Sequence, residues 1–163
     1  MLSEEQWNYL FPIANELYDY HSFLKASAKF TSFCLEGDAW LCKRELSTFF
    51  AMTTHESGFE ETYSTYPTWR QGFYFITEKA CTPAVGDPDC DYKSTGSSAE
   101  IWPPADDVQY FGRGPFQLSW NYNYGPFSRM AFDDDSVLLD NPDLVGSDGY
   151  TAFLSALWFY MSP

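Results

Sequence analysis

Apolar residues recur at helical spacing in several stretches of the chain, each ended by its own stop signal. Trp7, Leu10, Phe11, Ala14, Leu17 and Tyr18 predict a helix over residues 3–20, with Ser3 as its cap and Gln6 at the capping-box position. Pro12 interrupts this pattern, so the helix either kinks there or starts anew. Phe23, Ala26 and Phe30 predict a second, short helix between His21 and Phe33. Gly37 and Asp38 mark a turn after it. Residues 39–56, AWLCKRELSTFFAMTTHE, predict the helix of greatest functional interest. Its expected buried stripe is Trp40, Leu41, Leu46, Phe49, Phe50 and Thr53, and Ser57-Gly58 suit its termination.

Order weakens from residue 59 to 111, where Gly, Pro, Ser and Asp recur and Pro103-Pro104 forbids regular structure. GFYFITE, residues 72–78, alternates enough for a short strand or extended lip. CTPAVGDPDC reads as a stapled surface loop and STGSSAEIWPP as an exposed insertion. So long an irregular region suggests a job such as lining a groove. Helical signal returns at Asn121–Met130, with Gly125-Pro126 expected to split it into two pieces, and DNPDLV reads as a turn. Asp148 caps a final helix, GYTAFLSALWFYM, which is apolar nearly all round and so is expected to be the central buried one. A chain that stops at Pro163, just past its most buried element, is expected to be a fragment or to be covered by a partner chain. With few strands and no internal repeat, the layout is mainly α, and 163 residues suit one domain.

Composition then narrows the partners. Apolar residues make up 45% of the chain, which excludes a disordered composition. Aromatics reach 20%, more than a core of this size needs, and surplus Tyr and Trp offer flat faces on which sugar rings stack. The net charge of −14, with scattered basic residues, argues against nucleic acid and anionic membranes as partners and leaves a neutral polymer open. No apolar run is long enough to span a bilayer. MLSEEQWNYLF lacks the basic flank and apolar core of a signal peptide, so secretion would imply a leader already removed. Four cysteines in so acidic and aromatic a chain suit a secreted, extracellular disulfide protein. They allow three pairings, and the short turn-rich loops favour Cys34–Cys42 and Cys81–Cys90. With no C-x-x-C, and His21 far from His55, no metal site is expected, and no cofactor motif occurs.

Two acids stand out. Glu56, in HESGF, sits at a helix C-terminus, where the helix dipole and apolar neighbours such as Phe59 favour a protonated carboxyl, as a general acid requires. Glu78 follows 22 residues later, which on one straight helix would be roughly 33 Å, so the two can meet only through the fold. Glu60 and Glu61 compete for the role of base. Downstream, FGRGPFQLSWNYNYG places Gln117, Ser119, Asn121 and Asn123 at alternate positions, on one face if extended or around a pocket if turned. Such groups read the hydroxyl and N-acetyl groups of a sugar, while Arg113 is expected to pair with a catalytic carboxylate. Two carboxylates facing a polar, aromatic cleft is the arrangement that hydrolyses a sugar polymer.

FGRGPFQLSWNYNYG, followed by LLDNPDLV and ALWFYM, resembles the family 19 chitinases, the plant-type endochitinases, over residues 45–163. The resemblance implies a lysozyme-like, α-rich fold and inverting hydrolysis of β-1,4-linked N-acetylglucosamine (chitin). It implies Glu56 as general acid, Glu78 as general base and Ser119 as holder of the attacking water, with no cofactor. It further implies Gln117 and Asn123 as sugar-binding amides with Tyr122 in the groove, and likens Cys81–Cys90 to a family disulfide; His55 and Arg113 are further candidates for contacting the substrate. HESGFE departs from the plant pattern, with Phe59 and Glu60 at its end, and Cys34–Cys42 has no recognised counterpart. The family's C-terminal part, with another lobe and an Arg that organises the carboxylates, is absent from this chain. Two rival readings keep the fold: a non-catalytic chitin-binding protein, and a lysozyme-like enzyme acting on peptidoglycan.

Overall fold

The computed structural model describes residues 2–35, 38–81 and 88–162. Among the described residues, eight α-helices run in the order α1 (Glu4–Leu10), α2 (Tyr20–Ser27), α3 (Ala39–Ser57), α4 (Ser97–Ile101), α5 (Asn121–Phe132), α6 (Ser136–Asp140), α7 (Leu144–Ser147) and α8 (Gly149–Met161). Short 3-10 turns at Thr68–Arg70 and Pro88–Cys90 interrupt the long middle loop. β-structure among the described residues is confined to isolated bridges joining Thr77 to Arg113 and Arg113 to Leu118. The mainly α reading therefore holds.

Helix starts follow their capping chemistry. Ser3 accepts from the Gln6 backbone while the Gln6 side chain accepts from the Ser3 backbone, a complete capping box. Asp38 caps α3 through the amides of Trp40 and Leu41, and Asp148 caps α8 through that of Thr151. Gly37, the other half of the expected turn, lies outside the described residues, as do residues 82–87 of the stapled loop and Pro163.

Three expectations need correction. The first helix stops at Leu10, because Pro12 cannot continue the ladder; Phe11 turns inward and residues 11–19 are irregular. Gly125-Pro126 does not divide α5, which is continuous from Asn121 to Phe132. The glycine is there because the Trp102 indole lies against it: a Cβ at Gly125 would come within 2.4 Å of that ring. Trp40 and Leu41 are exposed, at 60% and 42%, because the first turn of α3 projects past the core; Arg44 covers the Trp40 ring from 4.8 Å. Of the rest of the stripe, Phe49, Phe50 and Thr53 are buried as expected, and Leu46 is half-buried against the core.

The core is aromatic and centred on Trp7. Its ring meets Phe11, Phe23, Phe50, Phe73 and Phe153 at centroid distances between 4.9 and 5.8 Å. α8 is the buried element expected, sequestering every residue from Thr151 to Leu157 and packing against α2 and α7. Both favoured disulfides are present, Cys34–Cys42 and Cys81–Cys90.

Buried phenols make this packing sensitive to alkali. Burial raises the pKa of Tyr18, whose hydroxyl donates to the Phe75 carbonyl, and pushes that of Tyr124 up to about 12. Folded values above the ordinary tyrosine value give a contribution that is complete below about pH 10 and is lost as pH rises through the folded values. Urea unfolding midpoints should therefore hold between pH 7 and 9 and fall steeply beyond about pH 10. Tyr124→Phe should flatten that decline relative to the parent chain.

Candidate active site

The last residues of α3 are the foundation of the site. Gly58 caps the helix by donating to Thr54, and a Cβ there would fall 2.1 Å from the Thr54 carbonyl oxygen, so no larger residue fits. The Ser57 carbonyl accepts from the amides of both Tyr74 and Phe75, each at 2.8 Å. That carbonyl fastens the GFYFITE segment to the end of the helix that carries His55 and Glu56. Phe73, fully buried against Trp7 at 5.3 Å, drives the same segment into the core.

A second seam joins this segment to GRGPFQLS. The Glu78 amide donates to the Gly112 carbonyl at 2.9 Å and the Gly114 amide to that of Ile76 at 2.8 Å. The Arg113–Leu118 bridge then turns the chain back, leaving Gln117 and Ser119 beside Glu78. Gln117 donates its amide hydrogens to the carbonyls of Ile76 and Gly114, and the Ser119 hydroxyl donates to the Gln117 carbonyl at 2.9 Å.

These seams surround an open cavity of 480 Å³. His55, Glu56, Glu78, Gln117 and Ser119, all singled out in the sequence, line it together. Glu60, Thr77, Lys79 and Tyr92 complete the polar part of its wall, and Phe75 supplies an apolar face. Glu56 is exposed to solvent, so the apolar enclosure expected around it is not built by these residues. Among the described residues it makes no side-chain hydrogen bond or ion pair. His55 Nδ1 lies 3.6 Å from Glu60 Oε1, both groups being exposed. Glu61 does not line the cavity.

Glu78 is held from two sides. The Tyr92 hydroxyl donates to Oε1 at 2.8 Å and the Gly112 amide to Oε2 at 3.3 Å. The first of these bonds, more than burial, raises the Tyr92 pKa above the ordinary tyrosine value. Tyr92 is the residue that sequence reading missed: no spacing marks it, and its one signal is its place two residues after Cys90. Lys79 does not neutralise Glu78; its ammonium sits 4.1 Å above the Phe75 ring.

The other candidates lie outside the cavity. Arg113 is buried and pairs with Asp143 at 2.8 Å rather than with a catalytic carboxylate. Its guanidinium also donates to the carbonyls of Gln109 and Phe111 and lies 3.7 Å over the Phe111 ring. It is a prop behind the seam, because its backbone serves the bridges and its side chain leaves on the far side. Asn121 is buried, accepting from the Ser94 amide and donating to the Trp102 carbonyl. Asn123 donates to the Ser119 carbonyl at 2.9 Å. Tyr122 is part-exposed and stacks on Trp120 at 5.7 Å.

Strained backbone gathers at the cavity. Glu60, Tyr92 and Gln117, three of its lining residues, all have positive φ, a conformation costing a non-glycine residue roughly 1–2 kcal/mol. On the Glu60 side the restraint is Gln71, fully buried, whose side chain accepts from the Glu61 amide at 2.9 Å and donates to the carbonyls of Glu61 and Tyr66. Gln71→Ala should therefore destabilise the chain by roughly 1–3 kcal/mol, since it leaves buried polar groups unpaired. Amide exchange should accelerate most between residues 59 and 66, and exchange unchanged there would remove Gln71 from this role.

Comparison with known proteins agrees with this architecture. The family model described as Chitinase class I matches residues 5–163. Endochitinase 1 of Solanum tuberosum is 41% identical over 151 residues, which cover 90% of this chain and 42% of that protein. Endochitinase B of Nicotiana tabacum is 40% identical over 148 residues, covering 90% and 41%. The crystal structure of a family GH19, class IV chitinase from Zea mays superposes with a TM-score of 0.74 at 31% identity, covering 98% of this chain and 70% of that one. Chitinase C from Streptomyces griseus HUT6037 superposes with a TM-score of 0.73 at 33% identity, covering 99% and 55%. This chain thus spans less than half the length of the curated relatives it matches. With the family model covering nearly all of it, the chain belongs to glycoside hydrolase family 19, the chitinase family that this model describes.

Proposed function

We propose that residues 1–163 form one catalytic-domain portion that hydrolyses β-1,4-linked N-acetylglucosamine polymers with inversion at the anomeric carbon. The observation that carries this reading is that Glu56, Glu78 and Ser119 line one cavity although they come from three separate parts of the chain. Glu56, exposed and without a side-chain partner among the described residues, is the general acid and gives its proton to the leaving glycosidic oxygen. Glu78, its carboxylate steadied by Tyr92 and Gly112, is the general base and takes a proton from the attacking water. The Ser119 hydroxyl holds that water. The water oxygen bonds to the anomeric carbon from the face opposite the departing oxygen, which inverts its configuration. Inversion requires room for that water, roughly 6.5–9.5 Å between the two carboxyl groups.

Gln117 and His55, both on the cavity wall, contact the sugar chain. Asn123 steadies Ser119, and the Trp120–Tyr122 pair gives a flat apolar edge on which a ring can stack. No cofactor enters the reaction. Two disulfides support an extracellular or otherwise oxidising compartment, and no helix of the described residues is long and apolar enough to cross a membrane.

The test is incubation with an N-acetylglucosamine hexamer while the newly formed chain ends are followed by proton NMR. The α-anomer should appear first. Glu56→Gln and Glu78→Gln should each lower turnover by about 10²–10⁴-fold, with the fold intact by circular dichroism. Retained hexamer binding without turnover in the parent chain would replace the enzyme with a chitin-binding protein. Cleavage of peptidoglycan but not of the hexamer would replace the substrate. If Glu60→Gln or Glu61→Gln abolishes turnover while Glu78→Gln does not, the base is misassigned.

A further inference from the structure

We propose that Tyr92 is the positioning residue for Glu78, and that the Cys81–Cys90 disulfide is the clamp that keeps the two in register. This rests on Glu78 being the base of the site.

The two residues lie 14 positions apart with the disulfide nested between them, so the bridge closes the base of a loop whose ends carry donor and acceptor. On one side, Cys81 follows Glu78 by three residues, and its amide donates to the Glu78 carbonyl at 3.1 Å. On the other, Cys90 precedes Tyr92 by two residues and ends a 3-10 turn. Both cysteines are buried and form a small apolar cluster with Phe111, against which Tyr92 packs. Phe111 is also the residue next to Gly112, the second donor to Glu78. One cluster therefore sets the height of both groups that hold the carboxylate.

Tyr92 is itself over-determined. Its φ of 47° is costly for a tyrosine, and its surroundings impose it. Its carbonyl accepts from the Asn121 amide at the start of α5, and its ring meets that of Trp120 edge-on at 5.3 Å. Among the described residues no cation lies within ion-pair distance of Glu78, so the phenol is the strongest fixed partner the carboxylate has. A phenol suits this task. It is neutral at working pH, so it orients the carboxylate without drawing a proton from it. It binds one oxygen and leaves the other, held only by the longer Gly112 contact, to accept from water.

Two measurements test the proposal. The first uses the intact disulfide-bonded protein carrying ¹³Cζ-tyrosine, with the Tyr92 resonance assigned by its loss in Tyr92→Phe. That resonance should titrate above the ordinary tyrosine value in the parent chain and return toward it in Glu78→Gln. An unchanged titration overturns the contact. The second compares kcat and KM on the N-acetylglucosamine hexamer. Tyr92→Phe should lower kcat by about 10- to 100-fold with KM within about twofold, because it misaims the base and leaves the sugar contacts in place. Unchanged kcat overturns the positioning role. So does an equal loss carried by KM alone. A parent chain without turnover, or Glu78→Gln with undiminished turnover, removes the function of the site but not the Glu78–Tyr92 contact, which the titration reads independently.

Discussion

The site depends on the burial of Phe73. This ring lies against Trp7, Phe11 and Phe153 in the centre of the molecule, and the backbone that carries it adopts a φ of 60° to put it there. Burying a phenylalanine side chain contributes about 1.5–3 kcal/mol, enough to offset the roughly 1–2 kcal/mol cost of the positive φ. The residues beside it cannot then choose their own position. Tyr74 and Phe75 are delivered to the Ser57 carbonyl, and Thr77 and Glu78 follow to the edge of GRGPFQLS. An apolar anchor in the core thereby decides where an acid at the surface stands relative to Glu56.

The architecture separates the packed core from the candidate site. α8, α2 and the ring cluster around Trp7 make a dry interior, while the cavity is built from the C-terminal end of α3 and two irregular segments laid against each other. Buried polar side chains serve this seam: Arg113 props it from behind, Gln71 holds the loop beside it, and Asn121 ties the 94–102 region to α5. None of the three lines the cavity. Loss of any one would therefore disturb the geometry of the cavity from behind its wall.

Local rules were readable in the sequence where one residue acts alone. Ser3 and Asp148 announce helix starts, and the short loops announce both disulfides. Glu56, Glu78, Gln117 and Ser119 were readable as a set because FGRGPFQLSWNYNYG resembles a known family. What stayed hidden depends on distant neighbours. Gly125-Pro126 looks like a break until Trp102 is seen lying on the glycine. Arg113 looks like a partner for a catalytic acid until Asp143, 30 residues on, claims it. Tyr92 carries no pattern of its own, since its role is fixed by an acid 14 residues earlier and by a cysteine pair.

The Trp7 cluster also bears on how the chain is made. Its rings come from Trp7 and Phe23 near the start, Phe50 and Phe73 in the middle, and Phe153 late in the sequence. Until Phe153 has left the ribosome, Trp7, Phe23 and Phe73 lack one of the rings they share. Such non-local closure slows folding and lengthens exposure to aggregation. The two short disulfides span only 8 and 9 residues and can form within emerging segments before that closure. Covalent order can thus precede closure of the core, so that an oxidising environment during synthesis would fix two local loops before the rings around Trp7 are complete.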